Sequence, residues 1–123
     1  MNIQFRQYAE QKVALIDSEE LLITDVQSAL DLLMSVKYET GCQRIALNKH
    51  AFCDEFFVLS TCLAGEILQK FINYEMKLAI YGDFSGYTSK PLQAFIRESN
   101  RGRDLFFVAD QEEAVRKLST ARP

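Results

Sequence analysis

The sequence predicts one α/β domain over residues 1–123, ordered β-β-α-β-α-β-α-β-α, with a mostly parallel sheet and an antiparallel N-terminal edge strand. Three observations carry that prediction. Segments with apolar residues at i, i+3 and i+4 alternate with short apolar runs, and repeated β-α units of this kind imply parallel strands joined by right-handed crossovers. The runs Met76 to Tyr81 and Leu105 to Ala109 are apolar almost throughout, which suits strands covered on both faces. Capping residues stand where the helical segments begin, at Thr24, Ser60 or Thr61, Ser89 and Asp110.

Taken in order, residues 2–8 place Ile3 and Phe5 on one face and Gln4 and Arg6 on the other, as an edge strand with one wet side does. Glu10-Gln11 is the expected turn, and Lys12 to Ile16 completes a hairpin. Thr24 is the expected cap of the first helix, with Gln27 completing a capping box. Val26, Ala29, Leu30, Leu33 and Met34 form its apolar stripe, and Gly41 ends it. Arg44 to Leu47 is the third strand. Asn48 to Asp54 reads as a polar, irregular connection, followed by a helical turn over Asp54 to Leu59. The second helix starts near Ser60 or Thr61, with an apolar face of Leu63, Ala64, Ile67, Leu68, Phe71 and Ile72. Gly82 to Thr88 is a loop. Thr88 or Ser89 caps the third helix, and Pro91 lies in its first turn, where a missing N–H costs least. Leu92, Phe95 and Ile96 face inward, and Asn100-Arg101-Gly102 stops the helix. Asp110 caps the last helix, Glu113 completes a second capping box, and Glu112–Arg116 and Glu113–Lys117 form i, i+4 pairs.

Composition excludes several classes. Apolar residues make up 48% and charged residues 25%, enough for a packed core and unlike a disordered chain. Fourteen Lys and Arg against seventeen Asp and Glu give a net charge of −3, unsuited to nucleic acid, whose binding rests on neutralised phosphates. No apolar stretch approaches the about 20 residues of a membrane span, and the first ten residues lack the apolar centre of a secretory signal, so the expected location is the cytoplasm with no membrane contact. Cys42, Cys53 and Cys62 have neither C-x-x-C spacing nor a set of histidine partners. Buried reduced thiols are expected, and no metal or cofactor.

In open α/β sheets ligands bind beyond the carboxyl ends of the strands. That edge carries Lys49, His50 and the loop with Asp83, Ser85, Tyr87, Ser89 and Lys90. The beginnings of the second and third helices point the same way and favour an anion, which Lys49 and Lys90 would help hold. The same loop residues also serve plain turn chemistry, with Asp83 bonding its local backbone and Ser89 capping. His50, with Cys53 and Asp54 close behind, is the one histidine, the residue type whose ordinary titration range suits acid and base work, and with Cys53 it would make a nucleophile–base pair. Arg97, Asn100 and Arg101 are candidate contacts for an anion or an acidic partner at the opposite end of the sheet, where cations also suit a helix C-terminus.

The stretch Gly65-Glu66-Ile67-Leu68-Gln69-Lys70-Phe71, Asn73-Tyr74, Lys77 to Ile80, Gly82 to Ser85, and Glu98-Ser99-Asn100-Arg101-Gly102 resembles a small bacterial family, domain of unknown function 4180. The likeness runs from Asp25 to Leu118. The element order is also similar to that of the STAS domains of anti-anti-sigma factors and sulfate-transporter tails. That similarity implies a STAS-like regulatory or partner-binding module without catalysis, with Ser60 and Thr61 at the place of its phosphorylation switch. Here Leu59 precedes Ser60 and residues 48–59 separate it from the third strand, where the STAS pattern has an Asp-Ser-Ser-Gly-type turn. The alternative is an enzyme or small-anion-binding protein using Asp83 to Lys90. A homodimer through the edge strand or an apolar helix surface is a further expectation.

Overall fold

The computed structural model describes residues 2–123. Its strands are β1 (Ile3–Tyr8), β2 (Gln11–Ile16), β3 (Arg44–Asn48), β4 (Lys77–Tyr81) and β5 (Leu105–Val108). Its helices are α1 (Val26–Thr40), α2 (Leu63–Asn73), α3 (Lys90–Arg101) and α4 (Gln111–Thr120), and the short 3-10 turns Lys49–Ala51, Asp54–Phe57 and Leu59–Thr61 join β3 to α2. The sheet order is β1-β2-β3-β4-β5, with β1 antiparallel to β2 and every later neighbour parallel. The α/β class, the parallel sheet and the antiparallel edge are those the sequence predicts.

Because the parallel strands follow chain order, each right-handed crossover steps the same way and leaves its helix on the same face. Side-chain alternation divides the core accordingly. Ala14, Ile16, Ile45, Leu47, Leu78, Ile80, Leu105 and Phe107 pack with Leu33, Val36, Ile67, Phe71 and Leu92 of α1, α2 and α3. Val13, Leu15, Ala46, Ala79, Phe106 and Val108 face the other way, onto Ala114 and Leu118 of α4. One helix thus covers the second face.

Local details depart from the sequence expectation. The hairpin turn is Ala9-Glu10, whose φ values of 52° and 67° are the pair of positive angles a type I′ turn demands, and Gln11 joins the strand. Asp25, not Thr24, caps α1. Its extended backbone immediately precedes Val26, its carboxylate accepts from Ser28 N at 2.7 Å, and the Ser28 hydroxyl accepts from Asp25 N at 3.1 Å. Gln27 instead donates to Asp31. Gly41 does end α1, in the left-handed conformation at φ 74°. The connection after β3 is not a polar loop: Ala51, Phe52 and Cys53 are buried, and Cys53 N donates to Ile23 O at 2.9 Å. The 3-10 turns consume chain, so α2 begins only at Leu63. Cys62, at its N-terminal boundary, has a positive φ and is exposed, unlike the buried Cys42 and Cys53. Asp110 caps α4, accepting from Glu113 N at 2.9 Å. The ion pairs described lie elsewhere, at Lys77–Asp104 and Arg101–Glu98, so neither Glu112–Arg116 nor Glu113–Lys117 closes within 4.0 Å.

Candidate functional site: a cleft at the carboxyl end of the sheet

β3 and β4 end side by side, with Asn48 opposite Tyr81 in register. Beyond them a cleft of about 750 Å³ opens between the connection from Lys49 to Phe57 and the connection from Gly82 to Tyr87, with Leu21 also lining it. Asn48 fixes the entrance. It accepts from Ser18 N at 2.8 Å and donates to Ser18 O at 2.7 Å, tying the chain after β2 to the end of β3. Gly82 allows the two connections to meet, since a Cβ there would lie 2.7 Å from Lys49 Cβ.

The wall is aromatic. The Phe57 ring lies 5.0 Å from Phe56 and 5.1 Å from Tyr87, nearly parallel to the latter at 18°. Phe52 and Phe84 each lie 6.2 Å from Phe57. These separations suit the offset and edge-on geometries that ring quadrupoles favour.

The polar groups around this wall are tied to backbone. Lys49 Nζ donates to Asp83 O at 2.7 Å and sits 4.6 Å from the Tyr87 ring centroid, a cation–π contact. His50 Nε2 lies 2.9 Å from Glu19 O, so this nitrogen carries the proton that bonds it. The Cys53 thiol donates to Thr24 O at 3.6 Å, and burial pushes its pKa up, away from the reactive thiolate. Tyr81, 8% exposed, donates to Ile16 O at 2.9 Å; burial, aided by Asp17, pushes its pKa up to about 12. The Tyr87 phenol is raised by burial and by the charge of Asp54. Asp83 accepts from Ser85 N at 2.9 Å, an Asx turn, and bonds from the Ser85 hydroxyl and N–H hold its carboxyl below the usual range.

Of the residues singled out from sequence, Lys49, His50, Asp83 and Tyr87 line the cleft together. Ser85 stands beside it as the donor to Asp83. Ser89 caps α3, accepting from Leu92 N at 3.4 Å, and the exposed Lys90 is outside the lining. Ser60 and Thr61 are exposed on the last 3-10 turn, also outside it, and the Thr61 hydroxyl lies 2.8 Å from the carbonyls of Glu55 and Val58. Arg97 is exposed on α3. Asn100 spends both ends of its amide on Phe107, accepting from its N–H at 2.8 Å and donating to its carbonyl at 3.2 Å, and so clamps α3 to β5. Arg101 lies 3.8 Å from Glu98 on the surface. Sequence reasoning missed Leu21, Phe52, Glu55, Phe57 and Tyr81. Phe52, Phe56 and Phe57 gave one usable signal: they crowd a segment too short for a helical stripe that would bury them.

A singly wound α/β sheet, with an aromatic-walled cleft beyond the ends of β3 and β4, is the class of protein these features define. A family model described as "Domain of unknown function (DUF4180)" matches residues 8–118, and the chain belongs to that family. No curated protein and no solved structure matches it.

Proposed function

We propose that the chain is a non-catalytic, STAS-like partner-binding module, and that the cleft at the carboxyl end of the sheet receives a segment of the partner. One observation carries this reading. The lysine, histidine and cysteine of the cleft, with Tyr81, are each engaged with a backbone carbonyl: Lys49 with Asp83, His50 with Glu19, Cys53 with Thr24 and Tyr81 with Ile16, so these four direct their bonds to backbone and not to the carboxylates of Asp54, Glu55 and Asp83. Nucleophilic catalysis needs a nucleophile bonded to its base, and these bonds lead elsewhere. What remains open to a ligand is ring surface with charges around it. Lys49 is the one lysine or arginine in the lining, facing Asp54, Glu55 and Asp83. That balance suits a segment presenting an apolar side chain beside a lysine or arginine, and gives less support to a small anion.

The test is affinity capture from the native host with the full chain and with a double variant, Asp54→Lys with Glu55→Lys. Both substitutions are on exposed positions, so circular dichroism should remain unchanged. A protein retained by the parent and lost by the variant is the expected result. Equal recovery by both removes the cleft from the proposal, and turnover of a small molecule that depends on His50 or Cys53 overturns the non-catalytic reading.

A further inference from the structure

The amino end of the sheet holds two buried cations side by side. Arg44 opens β3 and Lys77 opens β4, and they stand directly opposite each other in the parallel register. Arg44 is 8% exposed and Lys77 7%. Like charges placed opposite each other repel, and burial strengthens the repulsion. The Lys77 ammonium has Asp104 at 3.7 Å and donates to Arg103 O at 2.7 Å. Arg44 donates through Nε to Leu118 O at 2.7 Å, near the C-terminus of α4. No carboxylate among the described residues comes within 4.0 Å of Arg44, and both its Nη groups lack a protein partner there. The bond to Leu118 explains where Nε points but leaves the fork unused. Both side chains line a cavity of about 560 Å³, together with Arg103, Gln11, Glu75 and Asp104. Burial lowers the Lys77 pKa, Asp104 opposes that, and Arg44 and Arg103 lower it further, which places those two cations within electrostatic reach of Lys77.

We propose that Arg44 and Lys77 form an oxyanion site that takes a phosphate group, as inorganic phosphate or as the monoester of a small, freely diffusing molecule. The guanidinium fork suits two oxygens at once, and Lys77 supplies a point charge from the neighbouring strand. A bound dianion cancels the repulsion between the two. The cavity is larger than phosphate, which leaves room for the body of an ester, and the Gln11 amide offers it polar contact. The site is independent of the carboxyl-end cleft and stands whether or not that cleft binds a partner.

The test is titration of the full chain with inorganic phosphate at constant ionic strength, followed by backbone amide NMR. The expected result is saturable shifts at Arg44, Lys77 and residues 103–105, with binding about tenfold weaker in Arg44→Gln and in Lys77→Gln. Arg44→Lys, which keeps the charge and loses the fork, weakens it as well. Shifts that are absent, or spread over the exposed cations, overturn the proposal, as does unchanged affinity in a folded Arg44→Gln. Should both glutamine variants fail to fold, the shift map of the parent decides by the same criterion. Retention on phosphatidylglycerol vesicles without a phosphate response also overturns it.

Discussion

The two ends of the sheet carry opposite chemistry. At the carboxyl end the cleft is walled by Phe52, Phe57 and Tyr87, with Asp54, Glu55 and Asp83 about it. At the amino end Arg44 and Lys77 are buried, and Arg101, Arg103, Lys117 and Arg122 line the hollow beside them. Helix dipoles alone suggest an anion at the carboxyl end, where α1, α2 and α3 begin. Those helix starts are served by the chain itself: Asp25 caps α1, Ser89 caps α3, and Leu63 N donates to the Thr61 hydroxyl. A helix end carries about half a charge that fades within one turn, whereas a carboxylate carries a full one. The amino end gathers cations for the same reason in reverse. Lys37 donates to Tyr74 O beyond α2, and Arg44 to Leu118 O in the last turn of α4. The lesson is that helix ends are satisfied first, and only the surplus can hold a ligand. At the carboxyl end the surplus is ring surface and acid; at the amino end it is the guanidinium fork of Arg44.

The comparison breaks most sharply at Phe57. It joins the Phe52–Phe56 cluster to Tyr87 and Phe84, so it is at once core and cleft wall. Phe57→Ala should lower the unfolding free energy by about 3–5 kcal/mol in urea denaturation. Ile72→Ala, at a 40% exposed position by the amino-end cavity, should cost under about 1 kcal/mol. Similar losses for the two would mean that the aromatic wall is not part of the core.

The ends should also respond oppositely to alkali. Tyr81 titrates at about 12 when folded, against 10.0 for its ordinary value. The folded state keeps that proton longer, so its contribution is full below pH 10 and falls by about 2–3 kcal/mol as pH rises through 12. Lys77 has the reverse sign. Its folded pKa lies below 10.5, so the cost of burying its charge is present at neutral pH and lifts as pH rises toward 10.5. Urea midpoints measured from pH 8 to 12 should show a smaller alkaline fall in Tyr81→Phe, with Tyr87 and Cys53 supplying what remains, and should lose their preceding rise in Lys77→Met. Identical profiles in the parent and Tyr81→Phe would show that the phenol does not control the decline.

The frame of this molecule was legible because each element announces itself locally. Apolar runs marked β4 and β5, periodic stripes marked the helices, and Gly41, Ser89 and Asp110 stand where the structure uses them. Caps decided by backbone geometry were only partly legible: Thr24 and Asp25 can both cap, Asp is the stronger of the two, and the extended backbone beside Val26 selects Asp25. The cleft was half legible. Lys49, His50, Asp83 and Tyr87 follow from the rule that loops gather beyond strand ends. Phe57 and Tyr81 are placed by long-range packing that no local pattern encodes. Asn100 had looked like a surface contact among arginines, yet its amide closes a two-bond pair with the β5 backbone. Arg44 and Lys77 stayed hidden because a charge at the start of a strand usually lies in water, and here the end of α4 and the turn before β5 cover them.

The smallest expected effect separates surplus charge from a general positive field. Arg101 and Glu98 form an ion pair with both side chains about three-quarters exposed. Such a pair contributes little, because water screens it and two long side chains must be ordered to make it. Arg101→Gln should leave the unfolding free energy within about 0.5 kcal/mol of the parent. It should also leave phosphate affinity within about twofold at 0.15 M salt, because water and salt screen a charge this exposed. A larger drop in affinity would mean that the anion is held by the combined field of the amino end. A flat response to Arg101→Gln beside a steep one to Arg44→Gln assigns the binding to the buried fork.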